Sequence, residues 1–371
     1  MAQMTRFAAQ ALVATSLVAI AESNLAAQTI AGRSCDGCRV SRSLVATLGD
    51  PTDSVLLGAS SIAQRLATGG FVAFSGDNSQ LMVFDPSGKL VRVAGRRGNG
   101  PGEFEIPGSW AVGLADSIFV RQRGRIDVFA PDLRFVRSFP LTEPVRGINS
   151  LTQLGDGSIV GQWPSPGQSD FLHVMSPTGQ HRRSFGATRL PAGRCANCQS
   201  RIVRRGPGGT EFIATDPGDF GVEVWTVMGA LLRNFRVQSS WFPSGRREPS
   251  LAGSPPLPSI VGATIDSQGV LWVAGSVPNS EWKPPAGIIS FGRGRATTIT
   301  GNRPGVTESV DYSGVTAVIE AVDLATGASL ATARFDREGV GMIPGGYAFT
   351  RRQDANGIVR LDIWRLVLER P

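Results

Sequence analysis

Four cysteines carry the clearest chemical signal in this sequence, because they form two pairs with the spacing C-x-x-C. One pair is Cys35 and Cys38, and the other is Cys195 and Cys198. Two such pairs can hold one zinc ion tetrahedrally. Each pair could instead work as a redox dithiol, close as a local disulfide in an oxidising compartment, or remain as free thiols. The spacing alone leaves these four alternatives open.

A glycine-rich stretch, GRRGNGPGEF (95–104), raises the question of phosphate binding. A phosphate-binding loop leads into a helix whose N-terminal amides hold the anion. Here Pro101 and Pro107 interrupt the segment, and the residues after it continue as strands. The spacing Gly-x-Gly-x-Gly matches neither the dinucleotide nor the Walker fingerprint. The stretch is therefore predicted to be a connector, in which Glu103 binds backbone amides.

Other common catalytic sets are hard to find in this chain. The two histidines, His173 and His181, lie in one predicted hairpin and are interpreted as strand residues rather than ligands. The serine-hydrolase sequence G-x-S-x-G does not occur. These observations argue against a histidine-ligated zinc enzyme and against a serine hydrolase, and no cofactor is expected.

The chain is basic, with 37 Lys and Arg against 30 Asp and Glu and a formal charge of +7. Nucleic-acid binding requires clustered cations that displace counterions from phosphates. The arginines here are scattered and mixed with acidic residues, so no nucleic-acid partner is predicted.

Residues 1–27 combine Arg6, an apolar run and a small-residue exit, which is typical of a secretory signal peptide. The mature protein is predicted to be residues 28–371, periplasmic or secreted, without a transmembrane segment.

The elements that must position any site are strands, and they repeat. Short runs rich in Val, Ile, Phe and Trp alternate with Gly, Pro, Asp and Ser turns. Four segments align without a gap, and a fifth copy is two residues longer: LMVFDPSGKLVRVAG (81–95), IDVFAPDLRFVRSFP (126–140), LHVMSPTGQHRRSFG (172–186), VEVWTVMGALLRNFR (222–236) and IEAVDLATGASLATARF (319–335). A step of about 45 residues holding four strands is one blade of a β-propeller.

The two ends of the chain complete each other in this scheme. Residues 345–369 supply strands of a last blade, whose missing outer strand is predicted to be SRSLVATLG (41–49). Closing the ring in this way removes exposed sheet edges. The prediction is all-β, a single six-bladed β-propeller of four-stranded antiparallel blades, with an insertion at 277–314 in blade five. A seventh blade, using a hairpin at 288–300, is the less favoured alternative.

The segments GNGPGEFEIP, SIFV and GRIDVFAPDLRFVRSF resemble the NHL-type repeat of six-bladed β-propellers, most closely its exported bacterial members. The resemblance extends over about 300 residues, and its motifs specify fold rather than chemistry. It implies a disc with a central channel. Relatives use this disc mostly to bind proteins, peptides or sugars, and a minority use it for catalysis.

The predicted blades discriminate between the cysteine alternatives. Cys35 and Cys38 precede the outer strand of blade six, on the face opposite the inter-blade connectors, whereas Cys195 and Cys198 lie in a connector. The five residues from Cys35 to the strand reach under about 20 Å, too little to cross the disc. Two local disulfides are therefore favoured over a shared zinc ion, over redox-active dithiols and over free thiols.

The predicted ligand site lies on one face of the disc. In a propeller, the loops between second and third strands and the connectors between blades share a face, called here the loop face. Arginine and tryptophan are enriched in binding hot spots, and loops on a rigid scaffold commonly carry function. The residues expected there are Asp77, Asn78, Arg121, Arg123, Trp163, Asp216, Arg351 and Arg352, with Glu281 and Trp282 of the insertion overhanging them.

The expected function is non-catalytic binding of a protein, peptide or glycan by a monomer. The alternative is a calcium-assisted lactonase or hydrolase, which would need acidic residues at the inner ends of several blades. The predicted first inner strand, LLGASSIAQ (56–64), carries no carboxylate. The alternative is weakened but kept, because Asp77, Asn78, Asp216 and Asp219 stand in loops between second and third strands.

Overall fold

The computed structural model describes residues 28–30, 35–75, 78–105, 108–122, 124–142, 150–163, 170–187, 201–243, 255–283 and 312–371. The predicted signal peptide, Cys195, Cys198 and most of the predicted insertion lie outside these ranges. The chain begins with β1 (Gln28–Ile30) and β2 (Arg39–Leu48). The strands form six four-stranded antiparallel blades, and β1 adds in parallel to the outer edge of blade four.

The first three blades follow one another along the chain. Blade one is β3 (Ile62–Arg65), β4 (Phe71–Ser75), β5 (Gln80–Phe84) and β6 (Leu90–Ala94). Blade two is β7 (Trp110–Val112), β8 (Ile118–Gln122), β9 (Arg125–Phe129) and β10 (Phe135–Pro140), with a 3₁₀ turn at Leu114–Asp116. Blade three is β11 (Ser150–Gln153), β12 (Ile159–Gln162), β13 (Asp170–Met175) and β14 (His181–Ala187).

The remaining blades close the ring. Blade four is β15 (Ile202–Arg205), β16 (Glu211–Asp216), β17 (Gly221–Thr226) and β18 (Leu231–Val237). Blade five is β19 (Ser259–Ile265), β20 (Val270–Pro278), β21 (Val315–Asp323) and β22 (Ser329–Asp336). Blade six is β23 (Gly339–Ile343), β24 (Tyr347–Gln353) and β25 (Val359–Glu369), completed by β2.

The N-terminal strand closes the ring as predicted. β2 pairs antiparallel with β25, from Arg39 opposite Glu369 to Leu48 opposite Leu361. The last blade is thus built from both ends of the chain, which covers an edge that would otherwise be open to aggregation. The six-bladed, all-β prediction is confirmed.

The core is divided into six apolar clusters, one between each pair of neighbouring blades. Side chains alternate between the two faces of a strand. In β4, Phe71 and Ala73 therefore pack against blade six, whereas Val72 and Phe74 pack against blade two. Every residue of β4 is buried for this reason, and burial on both faces explains why the strands read as continuous apolar runs.

The glycine-rich stretch is the connector between blades one and two. The Glu103 carboxylate accepts a hydrogen bond from the Gly100 amide at 2.9 Å and one from Arg96 Nε at 2.7 Å. These hydrogen bonds, the Gly100 amide first, lower the pKa of Glu103. Phe104 is fully buried between the two blades. The structural role predicted for Glu103 is confirmed.

Cys35 and Cys38 form a disulfide, with their Cα atoms 5.5 Å apart. They line a small cavity beside Gln268 and Gly269, in the turn between the first two strands of blade five. This turn lies on the face opposite the loop face, where the sequence placed the pair. In the ranges described above, no helix is long and apolar enough to cross a membrane.

Candidate functional site

The central channel contains a cavity of about 290 Å³, called here the channel cavity. Its wall comes mainly from the first strands of all six blades, because these strands surround the axis of the ring, and Phe349 of β24 is added from blade six. One residue from each blade illustrates this wall: Gln64, Trp110, Ser150, Arg204, Val261 and Met342.

Side chains in the channel wall bind the backbone of the next blade. A first strand has one edge without a partner strand, and its backbone groups need other partners when water is excluded. Gln64 spans the gap to blade two, donating to the Trp110 carbonyl at 3.1 Å and accepting from the Val112 amide at 2.9 Å. Ser150 accepts from the Val203 amide of blade four at 3.2 Å. These contacts rigidify the wall.

Arg204 makes the corresponding contact from blade four to blade five. Its Nε donates to the Ala263 carbonyl at 3.0 Å, and its Nη1 donates to the Val203 carbonyl at 2.8 Å. Burial lowers the pKa of the guanidinium to about 10, so the group stays protonated at neutral pH. Within the described ranges, Arg204 forms no ion pair with a carboxylate. The channel cavity therefore contains a positive charge that none of the described residues of its wall neutralises.

A second cavity of about 270 Å³, called here the mouth cavity, lies between blades five, six and one. It shares Ile62, Val261, Gly341 and Phe349 with the channel cavity, so the two cavities adjoin. Its wall includes the end of β20, the beginnings of β21 and β23 and the end of β24. All four places are on the loop face, because second strands end there and first and third strands begin there.

The polar side of the mouth cavity is formed by Tyr312, Arg351 and Glu338, and Glu338 is paired with Arg42. Arg351 Nη1 donates to the Tyr312 hydroxyl at 2.9 Å, and Nη2 donates to the Ser61 carbonyl of blade one. The Tyr312 ring lies where a side chain at Gly339 would be, since a methyl group there would come within 2.0 Å of it. Glycine at 339 therefore allows the aromatic ring to cover the beginning of β23.

The opposite side of the mouth cavity is apolar. Ile62 and Val261 remain 40% and 46% exposed although they belong to strands of the channel wall. With Phe349 they form an apolar rim between the two cavities. A concave, preformed, mostly apolar surface with a few fixed polar groups is the usual form of a ligand site.

The structure brings only part of the predicted site to this mouth. Arg351 lines the mouth cavity, and the turn containing Glu281 and Trp282 lies beside it. The Trp282 amide donates to the Asn279 carbonyl, and Gly314 packs against Trp282. Glu281 forms an ion pair with Arg337 at the end of blade five.

Two other predicted residues have structural partners on blades one and two. The Asn78 side-chain amide donates to the Leu56 carbonyl at 2.9 Å. Arg121 lies over Gly108, and burial lowers the pKa of Arg121. Asp77 and Arg123 lie outside the described residues.

The remaining predicted residues are not among the described residues that line the two cavities. Trp163 packs against the apolar cluster between blades two and three. Asp216 is a partner of Arg201 in blade four, and the side chains of both are largely buried. Arg352 forms an ion pair with Asp362 of the same blade at 2.7 Å. We interpret these three positions as contributors to packing and charge balance.

Sequence reasoning missed Arg204, Tyr312 and the apolar rim. Arg204 stands in the run RIVRR (201–205), where nothing distinguishes it from its neighbours. The sequence offered one weak signal for Tyr312, the rarity of tyrosine, since the chain contains two tyrosines. The rim depends on contacts between blades one, five and six, which are far apart in the chain.

The wall of the channel cavity includes a guanidinium and, across the part of the chain that the structure describes, no carboxylate. In the same ranges, no group of three His, Cys, Asp or Glu side chains is arranged to hold a metal ion. The charge in this cavity suits an anion rather than calcium.

No protein-family model matches the sequence, and neither does any curated protein. Among solved structures, a member of the DUF4221 family from Bacteroides vulgatus is similar, with a TM-score of 0.60, 10% identity and coverage of 89% of this chain and 99% of that one. A Bacteroides fragilis protein that is predicted to be exported has a TM-score of 0.56, 13% identity and coverage of 89% and 96%. At these identities the likeness shows the fold, a six-bladed propeller, and any activity has to be argued from the site.

Proposed function

We propose that this protein is an exported, NHL-type propeller that binds a peptide, protein or glycan over the mouth of its central channel, without catalysis. The observation that carries the proposal is the mouth cavity on the loop face together with the channel cavity that adjoins it. Their apolar rim and their fixed polar groups, Arg351, Tyr312 and Arg204, suit recognition. Blades on either side hold these groups rigidly, which limits the entropy lost on binding.

The experiment that tests this proposal compares two tryptophan variants on peptide and glycan arrays. Val261→Trp fills the rim of the mouth, whereas Met228→Trp, at a residue 66% exposed in the turn between β17 and β18, changes the opposite face. We expect the wild type and Met228→Trp to bind the same array members, and Val261→Trp to lose them. Equal binding by all three proteins, or no specific binding by the wild type, would contradict a mouth site.

The same array members test the absence of catalysis. Mass spectrometry of the bound compounds after prolonged incubation should return them unchanged. A product that forms with the wild type and not with Val261→Trp would assign an enzyme to the mouth instead. The same incubation is repeated with added calcium and again after the calcium has been chelated. This comparison is the control for the lactonase alternative.

A further inference from the structure

Among the residues that the structure describes, the channel cavity combines one cation, Arg204, that has no carboxylate partner with an apolar rim. A guanidinium has five N–H donors, and the two hydrogen bonds of Arg204 go to the Ala263 and Val203 carbonyls. Three donors therefore remain for a ligand. Arg204 is partly buried, and a charge that has lost part of its hydration without gaining a counterion is unfavourable, so an anion that enters the cavity and pairs with Arg204 would recover part of that loss.

The shape of a guanidinium favours a planar anion. Arginine binds carboxylates through two parallel N–H···O bonds, with more directional preference than an ammonium group would have. Arg204 is the one cationic residue in the described wall of the channel cavity. A single positive charge balances a carboxylate, whereas a phosphate dianion would keep an excess negative charge in a poorly solvated space.

The neighbours of Arg204 in the cavity indicate what the carboxylate is attached to. Ile62, Val261 and Phe349 present carbon atoms at the rim. An apolar side chain gains free energy there in proportion to the apolar surface that it buries. A sugar acid would place hydroxyl groups on the same surface and lose hydrogen bonds to water. The end of a peptide, with a carboxylate next to an apolar side chain, matches both parts of the cavity.

We propose that the channel cavity binds the free C-terminal carboxylate of a peptide through Arg204, with the last side chain of the peptide on the rim of Ile62, Val261 and Phe349. This inference rests on the proposed function and names the ligand class of the same mouth. Binding uses charge-assisted hydrogen bonds and apolar burial, and no bond is made or broken.

The test uses two synthetic pentapeptide pools, identical except that one ends in a free carboxylate and the other in an amide. Each pool carries all common residues at its last position, and affinity selection on the purified full chain is read by mass spectrometry. We expect enrichment of the acid pool, strongest for apolar last residues, and at least about tenfold weaker binding of the matching amides, since a hydrogen bond to a charged group contributes about 1.5–3 kcal/mol. Equal recovery of acid and amide peptides would overturn the proposal.

Variants assign the effect to Arg204. Arg204→Met should lose the preference for acid over amide, whereas Arg205→Met, at an exposed arginine of the same strand, should keep it. Because Arg204→Met also removes hydrogen bonds to the wall, Val261→Glu provides a second variant that leaves those bonds in place. Its added carboxylate should repel acid peptides and spare amides. An unchanged acid preference in both Arg204→Met and Val261→Glu would contradict the assignment.

Two further outcomes separate this inference from the proposed function. If array members bind at the mouth and Val261→Trp abolishes that binding, but amidated peptides bind as tightly as acids, the mouth is a binding site and the carboxylate assignment is wrong. If a glucuronate-terminated oligosaccharide binds in an Arg204-dependent way and no peptide does, the anion site stands and the peptide assignment is wrong.

Discussion

Arg42 and Glu338 are 296 positions apart in the chain, yet they form a two-point ion pair with N–O distances of 2.5 and 2.8 Å. Arg42 belongs to β2, and Glu338 belongs to the connector between blades five and six. The Arg42 guanidinium also lies 4.0 Å from the centre of the Phe335 ring and 4.3 Å from that of Trp364. The N-terminal strand that completes blade six is thus also held to blade five.

Arg42→Ala should loosen this closure. A charge-assisted hydrogen bond contributes about 1.5–3 kcal/mol, and partial exposure of both side chains reduces that value. We expect the free energy of unfolding in urea to fall by about 1–2 kcal/mol. Arg39→Ala, at an exposed position of the same strand, is the matched control. A loss as large in the control as in Arg42→Ala would show that the ion pair does not hold the ring.

Gly95 tests the connector between blades one and two. Its φ is +96°, and a methyl group there would come within 2.4 Å of the Phe104 ring. Gly124 has a φ of +75° with open space around it, so Gly124→Ala should cost only the backbone term, about 1–2 kcal/mol. Gly95→Ala should cost about 1–3 kcal/mol more, the typical penalty of overpacking. Thermal and urea unfolding of both variants measure the difference, and equal losses would contradict it.

His173 should make stability depend on pH. Its Nε2 donates to the Trp163 carbonyl at 2.8 Å, and its Nδ1 accepts from the Ser184 hydroxyl at 2.8 Å. Burial lowers the pKa of His173 below its ordinary value of 6.5. The unfolded chain therefore binds a proton on this imidazole at pH values where the folded protein does not. The free energy of unfolding decreases as pH falls below about 6.5.

Urea midpoints at pH 7.5 and 5.5 measure this loss. His173→Asn should flatten the dependence between these two values. His181→Gln, at an exposed imidazole that shares the Ser184 hydroxyl with His173, should reduce the dependence only in part, because burial is the main cause of the lowered His173 pKa. If the pH dependence of His173→Asn equals that of the wild type, another group is responsible.

A buried carboxylate in blade five should be sensitive to the loss of its donors. Glu320 is fully buried and accepts from Trp241 Nε1 at 2.7 Å and from the Ser329 hydroxyl at 2.5 Å. Trp241→Phe removes a donor from a dry site and should cost about 1–3 kcal/mol, beyond the loss of ring contacts. Trp225→Phe is the matched control, because Trp225 donates to Glu223 at 3.1 Å and Glu223 keeps Arg201 as an ion-pair partner at 3.8 Å. A smaller loss for Trp241→Phe than for this control would contradict the argument.

Intact mass under denaturing, non-reducing conditions tests the cysteines. Two local disulfides predict a mature protein four hydrogens lighter than its reduced form and free of zinc. Cys35→Ser with Cys38→Ser should keep the two-hydrogen difference of the second pair. Retention of zinc by four reduced cysteines would mean that the two pairs meet in space, against the blade order.

Most of the fold could be predicted from the sequence because propeller strands repeat. The segment 81–95 and each of its copies identify one blade. The outer strand that the last blade lacks can be recognised at 41–49, near the start of the chain. Repetition of this kind is local, so it can be read without knowing any distant contact. The connector 95–104 can also be predicted locally, because its prolines and glycine spacing do not fit a phosphate-binding loop.

The candidate site could be predicted less well. The loop face was inferred from topology, and it includes Arg351. However, polarity at a loop tip does not distinguish a ligand residue from one that has a partner within the protein. Asp216 and Arg352 are examples, since Arg201 and Asp362 neutralise them. Ion pairs of this kind depend on side-chain geometry, which the spacing of residues in the sequence does not specify.

The sequence by itself determined the strands, the six blades and the closure of the ring, because alternation and repetition act over a few residues at a time. Only the tertiary structure decided which residues face the channel. It placed the Arg204 guanidinium in a cavity whose described wall has no carboxylate, and it placed Ile62, Val261 and Phe349 around the opening. The reason is physical: the charge balance of a cavity is the sum over six blades, and residues from opposite ends of the chain contribute to it.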